Sequence, residues 1–537
     1  MFGKFFLPIL VFVLVLQFLS GAYQSELSHW PDEAAHVTTT LMVRDYLVSG
    51  FASPPFQFAQ EYYVRYPKVG LGMWPPVFYV VATVWVLLFG EPRVSLLVLM
   101  ELVCALLAVT LALFARRGFG DLPALGLGLL LVALPVMQDG TSMVMLDLPV
   151  ALLGFWALLL LLRFFRTEQT RWALLFGLAT ALALLTKANA IALVLAPAIL
   201  VVLAGRYRLF LRPDLYLSAL VVACLGLPWQ IFSYRMLSSS VPMEPLSASY
   251  VARALVLYGA GIYRNLGAGL FVAAGLGFTV ECARLLSRRK DSCLDLAAAA
   301  ALVVAVVSFH SLVTTSVDLR YMMMAWPFFL LFAAAGIRWM AGLISLRLPL
   351  SIPKHLVAGG LCVLALVFTP MRIPKRPELG FARVAEMVSS SAGDEVVFVC
   401  SDANGEGALI TELALRSARR KHVVLRASKT ISDNLWTPAA YTPLLRTAEE
   451  VSRFLEEIPV DAVVIDNSAV IWEQDRAVLV EALQHGGARW TLVPEAAGSP
   501  VSRRISLYRR TEPALSRAEY IRVPVRHTLG GELVLRR

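Results

Sequence analysis

Ser28-His29-Trp30-Pro31-Asp32-Glu33-Ala34-Ala35-His36 sets two adjacent acids a few residues after an apolar run that closes near Ser20. Whether this stretch lies at a membrane surface decides the fold. Paired carboxylates at the mouth of a span, flanked by aromatic side chains, are costly to desolvate and are usually kept for a purpose. The same residues also read as a helix start, because Pro31 suits a first turn and Asp32 and Glu33 complement the positive end of the dipole. The two readings coexist if Glu33 serves the helix while Asp32 serves the chemistry.

The rest of the chain places the stretch at a membrane. Of 537 residues, 58% are hydrophobic and 16% are charged, and the mean hydropathy is +0.68, which excludes an ordinary soluble protein. Twelve apolar segments of spanning or nearly spanning length fall at about 5–22, 76–90, 94–115, 121–138, 147–162, 171–187, 188–204, 214–233, 266–286, 294–313, 321–341 and 355–370. The first follows Lys4 and ends on small residues, as a cleaved leader would, but its length and the spans after it favour an anchored helix. Cys104, Cys224, Cys282 and Cys362 lie within apolar runs, Cys293 beside one and Cys400 alone in the polar part, so neither a disulfide framework nor a CxxC metal site is available.

Charge orients the spans. The net charge of +10 resides in clusters at Arg116-Arg117, Arg163 to Arg171, Arg206 to Arg212, Arg284 to Lys290 and Arg347 with Lys354, at alternate connections. Those connections are expected to be cytoplasmic, and no basic stripe interleaved with aromatics points to nucleic acid. The alternation holds if 76–90, short and opened by Pro75-Pro76, dips in or lies along the outer surface. Eleven crossings then remain, with Arg93 left outside as the cost. The expected fold is a polytopic α-helical membrane protein of about 11–13 spans, residues 1–372, followed by an extracytoplasmic α/β domain, residues 373–537.

On this topology one face collects the acids and cations. Asp32 and Glu33 lie in an aromatic-rich first outer loop, about 23–75, expected to hold interfacial helices. Asp139 and Asp147 fall in the next outer loop, Lys187 where two apolar segments meet, Arg235, Arg253 and Arg264 in or beside a loop at 234–265, and Asp318 and Arg320 close the set. The C-terminal part alternates strands at Val396–Cys400, His422–Arg426, Ala462–Asp466, Trp490–Val493 and Ile505–Arg509 with helices at Gly405–Arg419, Ala448–Glu457 and Arg476–Gln484. Gly405-Glu406-Gly407 lacks the third glycine of a dinucleotide fingerprint, and its acid would repel a pyrophosphate.

This collection suits a substrate with a phosphate in the headgroup layer and a hydroxyl to be deprotonated. Lys187, Arg264 and Arg320 are candidates to neutralise the phosphate, and Asp32 to act as general base. Plain structural roles stand beside these: Lys187 snorkelling from a helix end, Arg320 and Asp318 as a loop ion pair, Asp147-Leu148-Pro149 as a helix start. His29 and His36 with Asp32 leave a divalent metal open as a helper, while no cofactor is implied with certainty.

The order Trp30-Pro31-Asp32-Glu33-Ala34, Trp74-Pro75-Pro76-Val77-Phe78-Tyr79, Leu146-Asp147-Leu148-Pro149, Leu185-Thr186-Lys187 and Arg320-Tyr321 resembles the polyprenyl-phosphate-dependent C-type membrane glycosyltransferases. Within them it is most similar to the bacterial aminoarabinose transferases and relatives of the protein O-mannosyltransferases. The resemblance covers about residues 5–341. It implies a polyprenyl-phosphate sugar donor, an envelope glycolipid, glycan or protein as acceptor, and an inner-membrane location. It further implies Asp32 as catalytic base with Glu33 beside it, Asp147 as second acid, and Lys187 and Arg320 with Tyr321 at the carrier phosphate. Relatives commonly carry lysine or histidine before the two prolines; Trp74 stands here, so one expected phosphate contact is missing, and Lys68 or Arg65 is a candidate substitute from the same loop, with Trp74 and His36 as further substrate-contact candidates. Rival readings are a lipid or solute transporter, which would need midplane charges and broken helices in matched halves, and an inactive scaffold.

Overall fold

The computed structural model describes residues 2–51, 53–90, 92–237, 244–287, 293–313, 317–347, 354–390, 395–416, 422–434, 441–458, 460–469, 473–485, 489–494, 503–512, 520–525 and 531–536. Each of the twelve apolar segments forms helix. Among the described residues seven helices are long and apolar enough to cross a membrane, or eight if the pair Asp121–Ala133 and Pro135–Thr141, bent by 66°, is one span, and four shorter apolar helices include Val77–Phe89. The chain is therefore a multi-pass membrane protein by length and composition, with a strand-containing C-terminal region.

The two ends of the helical bundle differ in chemistry. Helix Asp147–Thr167 starts at a buried acid and ends beside Arg166, about 30 Å away at 1.5 Å per residue. Around Arg166 the basic clusters meet: Arg166 pairs with Asp295, Arg208 with Glu168, and Arg212 with Glu168 at 3.6 Å. Lys4 reaches Asp121 at 2.9 Å and Arg338 donates to the Gly118 carbonyl. Arg288, Arg289 and Lys290 lie outside the described residues.

Close crossings replace the hydrophobic drive that lipid removes. Helices Ala248–Leu286 and Trp326–Arg347 cross where a Cβ on Gly277 would stand 2.0 Å from the Phe332 carbonyl oxygen, and one on Gly336 2.0 Å from that of Ala273. The first of these helices corrects an expectation. Residues 248–265, expected as part of a loop, are helix: it runs from Ala248 and bends at Gly267, whose φ of +73° a side-chain-bearing residue rarely adopts, while 238–243 lie outside the described residues. Arg253 and Arg264 had masked the helix by interrupting its apolar pattern.

In the C-terminal region, Val423–Arg426, Val396–Cys400 and Ala462–Asp466 run parallel and adjacent in that order, and Ile505–Arg510 then Trp490–Leu492 extend the sheet antiparallel. The strands lie within two residues of expectation because their β-branched runs are buried on both faces. Helix Ala403–Arg416 stands for the expected Gly405–Arg419, whose Arg419 is outside the described residues. Sequence reading missed helix Phe381–Ser389 and the antiparallel pair Tyr520–Val525 with Gly531–Arg536.

The segment 23–75, expected as the first outer loop, and this region share one apolar core. Val37, Leu41, Tyr62, Tyr66 and Phe78 pack in a cluster with Leu379, Phe381, Ala408 and Leu409. Arg93, the cation that the expected topology leaves outside, ends its reach on Glu412 of helix Ala403–Arg416 and on the Ser25 carbonyl, so its charge is neutralised locally. Glu26 accepts from the amides of Leu379, Gly380 and Ala382, satisfying the orphan donors at the start of helix Phe381–Ser389.

Candidate functional site

Pro31 opens helix Pro31–Val48 and puts Asp32 and Glu33 in its first turn. The two acids diverge from there. Glu33, expected in the acidic pair of the site, turns away from it: one carboxylate oxygen accepts from the Val144 amide at 3.0 Å and the other from the His29 amide at 2.8 Å. Fully buried, it ties the helix start to its neighbours, and burial pushes its carboxyl up to about 7. Asp32 instead accepts from Nη1 of Arg320 at 2.8 Å, across 288 residues of sequence. Burial works to raise its pKa, but the Arg320 guanidinium holds the carboxyl below its usual value.

Arg320 is fixed on several sides. Its Nε donates to Asp318 at 2.7 Å and its backbone amide to the other oxygen of the same carboxylate at 3.0 Å. The guanidinium lies 5.2 Å from the Trp30 ring centroid and 5.8 Å from that of Tyr321. Lys187 sits in extended backbone where helix Thr170–Leu184 breaks into a 3-10 turn, and its Nζ donates to Asp147 at 2.6 Å. It also lies 5.4 Å from the Tyr321 ring, which stacks on His310 at 5.3 Å. Asp147 is buried, and its second carboxylate oxygen has no hydrogen-bond partner among the described residues.

The Trp74-Pro75-Pro76 stretch joins this group through the backbone, since the Val77 amide donates to the Leu185 carbonyl at 3.0 Å. Trp74 lies edge-on to His36 at 4.5 Å, and His36 Nδ1 is 2.9 Å from the Tyr79 hydroxyl. Lys68, a candidate phosphate contact, spends its ammonium on the Ala403 carbonyl at 3.2 Å, and burial pushes it down to about 7. Arg264 is not brought to the site. It is exposed because the helix turns its neighbour Asn265 inward to accept from the Val136 amide, which leaves the preceding side chain rotated outward.

Burial also silences two histidines at neutral pH: it pushes His29 down to about 4 and His36 to about 3. Below pH 6.5 the unfolded chain takes up protons that these imidazoles refuse in the fold, so they lower stability as pH falls from about 6.5 toward 4. Glu33, raised to about 7, works in the opposite direction between about 7 and 4.5. A His36→Gln protein is accordingly expected to lose less thermal stability in detergent between pH 7 and pH 5 than the parent. Equal losses would remove His36 from this balance.

A family model described as dolichyl-phosphate-mannose-protein mannosyltransferase matches residues 74–232, under half of the chain. No curated protein matches it by sequence. Among solved structures, ArnT from Cupriavidus metallidurans bound to undecaprenyl phosphate is similar over 95% of this chain and 99% of that one, with TM-score 0.56 and 17% identity. The fold is that of the C-type membrane glycosyltransferases. AglB from Archaeoglobus fulgidus, in complex with an inhibitory peptide and a dolichol-phosphate, is similar over 86% of this chain and 69% of that one, with TM-score 0.51 and 11% identity. The oligosaccharyltransferase of the same organism tethered with an acceptor peptide gives TM-score 0.52 and 12% identity over 85% and 69%.

Within the C-type fold seen here, His29 is engaged with Ser25 at 2.8 Å, His36 with Tyr79 and Asp32 with Arg320. The three do not converge as metal ligands, and among the described residues no three His, Cys, Asp or Glu side chains do. A cavity of about 550 Å³ opens at the seam with the C-terminal region, lined by Tyr23, Arg93, Glu378 and Arg416 among others; it is separate from the Asp32 group. Trp30 and His310 also belong to this group, although the sequence reading assigns neither a role in the site. For Trp30 the signal was its place beside the acids; for His310, a polar ring inside an apolar run.

Proposed function

We propose that this chain transfers a sugar from a polyprenyl-phosphate donor to an acceptor hydroxyl or phosphate at the outer face of the cytoplasmic membrane, with inversion at the anomeric carbon. The observation that carries the reading is the meeting of Asp32 and Asp147 with Lys187 and Arg320, contributed by four segments distant in sequence. Asp32 takes the acceptor proton as the acceptor oxygen bonds to the anomeric carbon. The bond from that carbon to the phosphate oxygen breaks, its electron pair leaves with the phosphate, and Lys187 and Arg320 neutralise that anion. A carboxylate base on the face opposite the leaving group gives inversion, by the logic of inverting glycosidases.

The C-terminal region lies at the same end of the bundle as Asp32 and away from the basic clusters, which supports an extracytoplasmic position for it. The donor chemistry named for ArnT and AglB supports a lipid-linked phosphate, and the acceptor class is an envelope glycolipid, glycan or protein. The test incubates purified protein with a radiolabelled polyprenyl-phosphate sugar and a membrane extract. Label moving to extract components, with inverted linkage by NMR, is expected; absence of transfer with intact donor overturns the reading.

Lys187 has its own expectation. Lys187→Met removes a charge-assisted contact worth about 1.5–3 kcal/mol, so the donor KM rises about tenfold or more while Lys187→Arg retains most affinity. An unchanged donor KM in the Met variant refutes its role. Asp147, left buried without its partner, adds a stability loss that unfolding in detergent reads separately.

A further inference from the structure

Arg320 is held at one end and open at the other. Asp318 grips Nε and the backbone amide together, and Nη1 is on Asp32. Trp30 and Tyr321 flank the guanidinium, and Nη2 has no hydrogen-bond partner among the described residues. Because the guanidinium is planar and rigid, anchoring Nε leaves rotation of the Nη end as its easiest motion. The other cation of the group, Lys187, reaches the same Tyr321 ring.

An arginine-paired carboxylate is a poor base, since the pairing favours its charged form. A phosphate competes for the same bidentate fork. We propose that Asp318 is the positioning residue that hinges Arg320 at Nε, so that the arriving donor phosphate draws the Nη end off Asp32 and frees that carboxylate as base only when the donor is present. The inference rests on the reading of the site as a sugar transferase and adds to it a donor-triggered hand-over. It also gives Asp318 a reason beyond capping the 3-10 turn Leu319–Ala325.

The groups facing Asp32 besides Arg320 are Lys187 and Lys68 from other segments, His36 on its own helix and Tyr79 beyond it. None of these is gripped by Asp318, so a change at Asp318 reaches the base through Arg320. The test compares the acid limbs of the pH profiles for the parent and Asp318→Asn, which keeps a cap acceptor but loses the charge that grips Nε. In the parent, the acid limb of kcat, reporting the donor complex, is expected about one pH unit above that of kcat/KM, reporting the free enzyme. In Asp318→Asn the two limbs draw together and the donor KM rises about tenfold, with Asp318→Glu recovering part of both.

Coincident limbs in the parent overturn the hand-over. An Asp318→Asn protein altered only in thermal stability reduces Asp318 to a cap and overturns the hinge. Binding of undecaprenyl phosphate alone, read by thermal shift, separates this from the function: about tenfold weaker binding in Asp318→Asn supports the hinge even if no sugar is transferred. Equal binding overturns it, and no binding by the parent overturns it together with the function on which it rests.

Discussion

Asp32→Asn abolishes sugar transfer while the protein remains folded in detergent. General base catalysis contributes about 10²- to 10⁴-fold to rate, and an amide cannot accept the acceptor's proton, so kcat is expected to fall by that range. The substitution is nearly isosteric and its carbonyl oxygen still accepts from Nη1 of Arg320, 2.8 Å from the present oxygen. The helix start is also protected, because Glu33 and not Asp32 takes the amides of Val144 and His29. Glu33→Gln supplies the contrast: it weakens one of those two backbone contacts and lowers the unfolding temperature, with a smaller effect on kcat. Measured turnover of a labelled donor and unfolding midpoints decide the matter. Retained turnover in the Asn variant would dismiss Asp32 as base, and a collapsed midpoint would show its charge to be structural.

The contrast between two adjacent acids shows what a sequence conceals. That Asp32-Glu33 lies at the mouth of a span follows from composition and charge alternation, and every apolar segment did become helix. The strands Val396–Cys400 and Ala462–Asp466 were legible because five consecutive buried residues leave an uninterrupted β-branched run. Which acid faces the pocket was not legible, since it depends on Val144 arriving from another segment 111 residues on. Ion pairs between Asp32 and Arg320, or Asp147 and Lys187, were legible only as a shared face of the membrane, because partner choice is set by helix packing. Residues 248–265 read as loop for a related reason: their arginines face outward or toward Glu244, and outward charge resembles a break in an apolar pattern.

Gly407→Leu is expected to cost about 100-fold in kcat although Gly407 belongs to a helix of the C-terminal region and touches no reacting group. A Cβ at Gly407 would stand 2.8 Å from the Ala34 Cβ, 3.0 Å from the Ser28 hydroxyl and 3.1 Å from Cε of Lys68. Ala34 follows Asp32 by two residues in the same helical turn, and its methyl group has no rotamer by which to retreat. The seam there is also fastened: Ser28 donates to the Asn404 carbonyl at 2.6 Å, Lys68 to that of Ala403 at 3.2 Å, and Thr411 to that of Ala34 at 3.3 Å. Relief therefore comes by moving helix Pro31–Val48 against the bundle that holds Lys187 and Arg320. Overpacking of this kind costs about 1–3 kcal/mol, too little to unfold the membrane part, yet a misplacement of about 1 Å at the chemistry is worth about 10² in rate. Gly407→Ala gains about 1 kcal/mol of helix propensity that offsets part of the strain, so it should keep near-parental stability and lose activity to a smaller degree. Gly342→Ala, where a Cβ meets nothing within 4 Å, controls for added bulk in a helix. If Gly407→Leu turns over at the parental rate, the C-terminal region does not set the position of Asp32, and the apolar core it shares with the first outer loop serves stability alone.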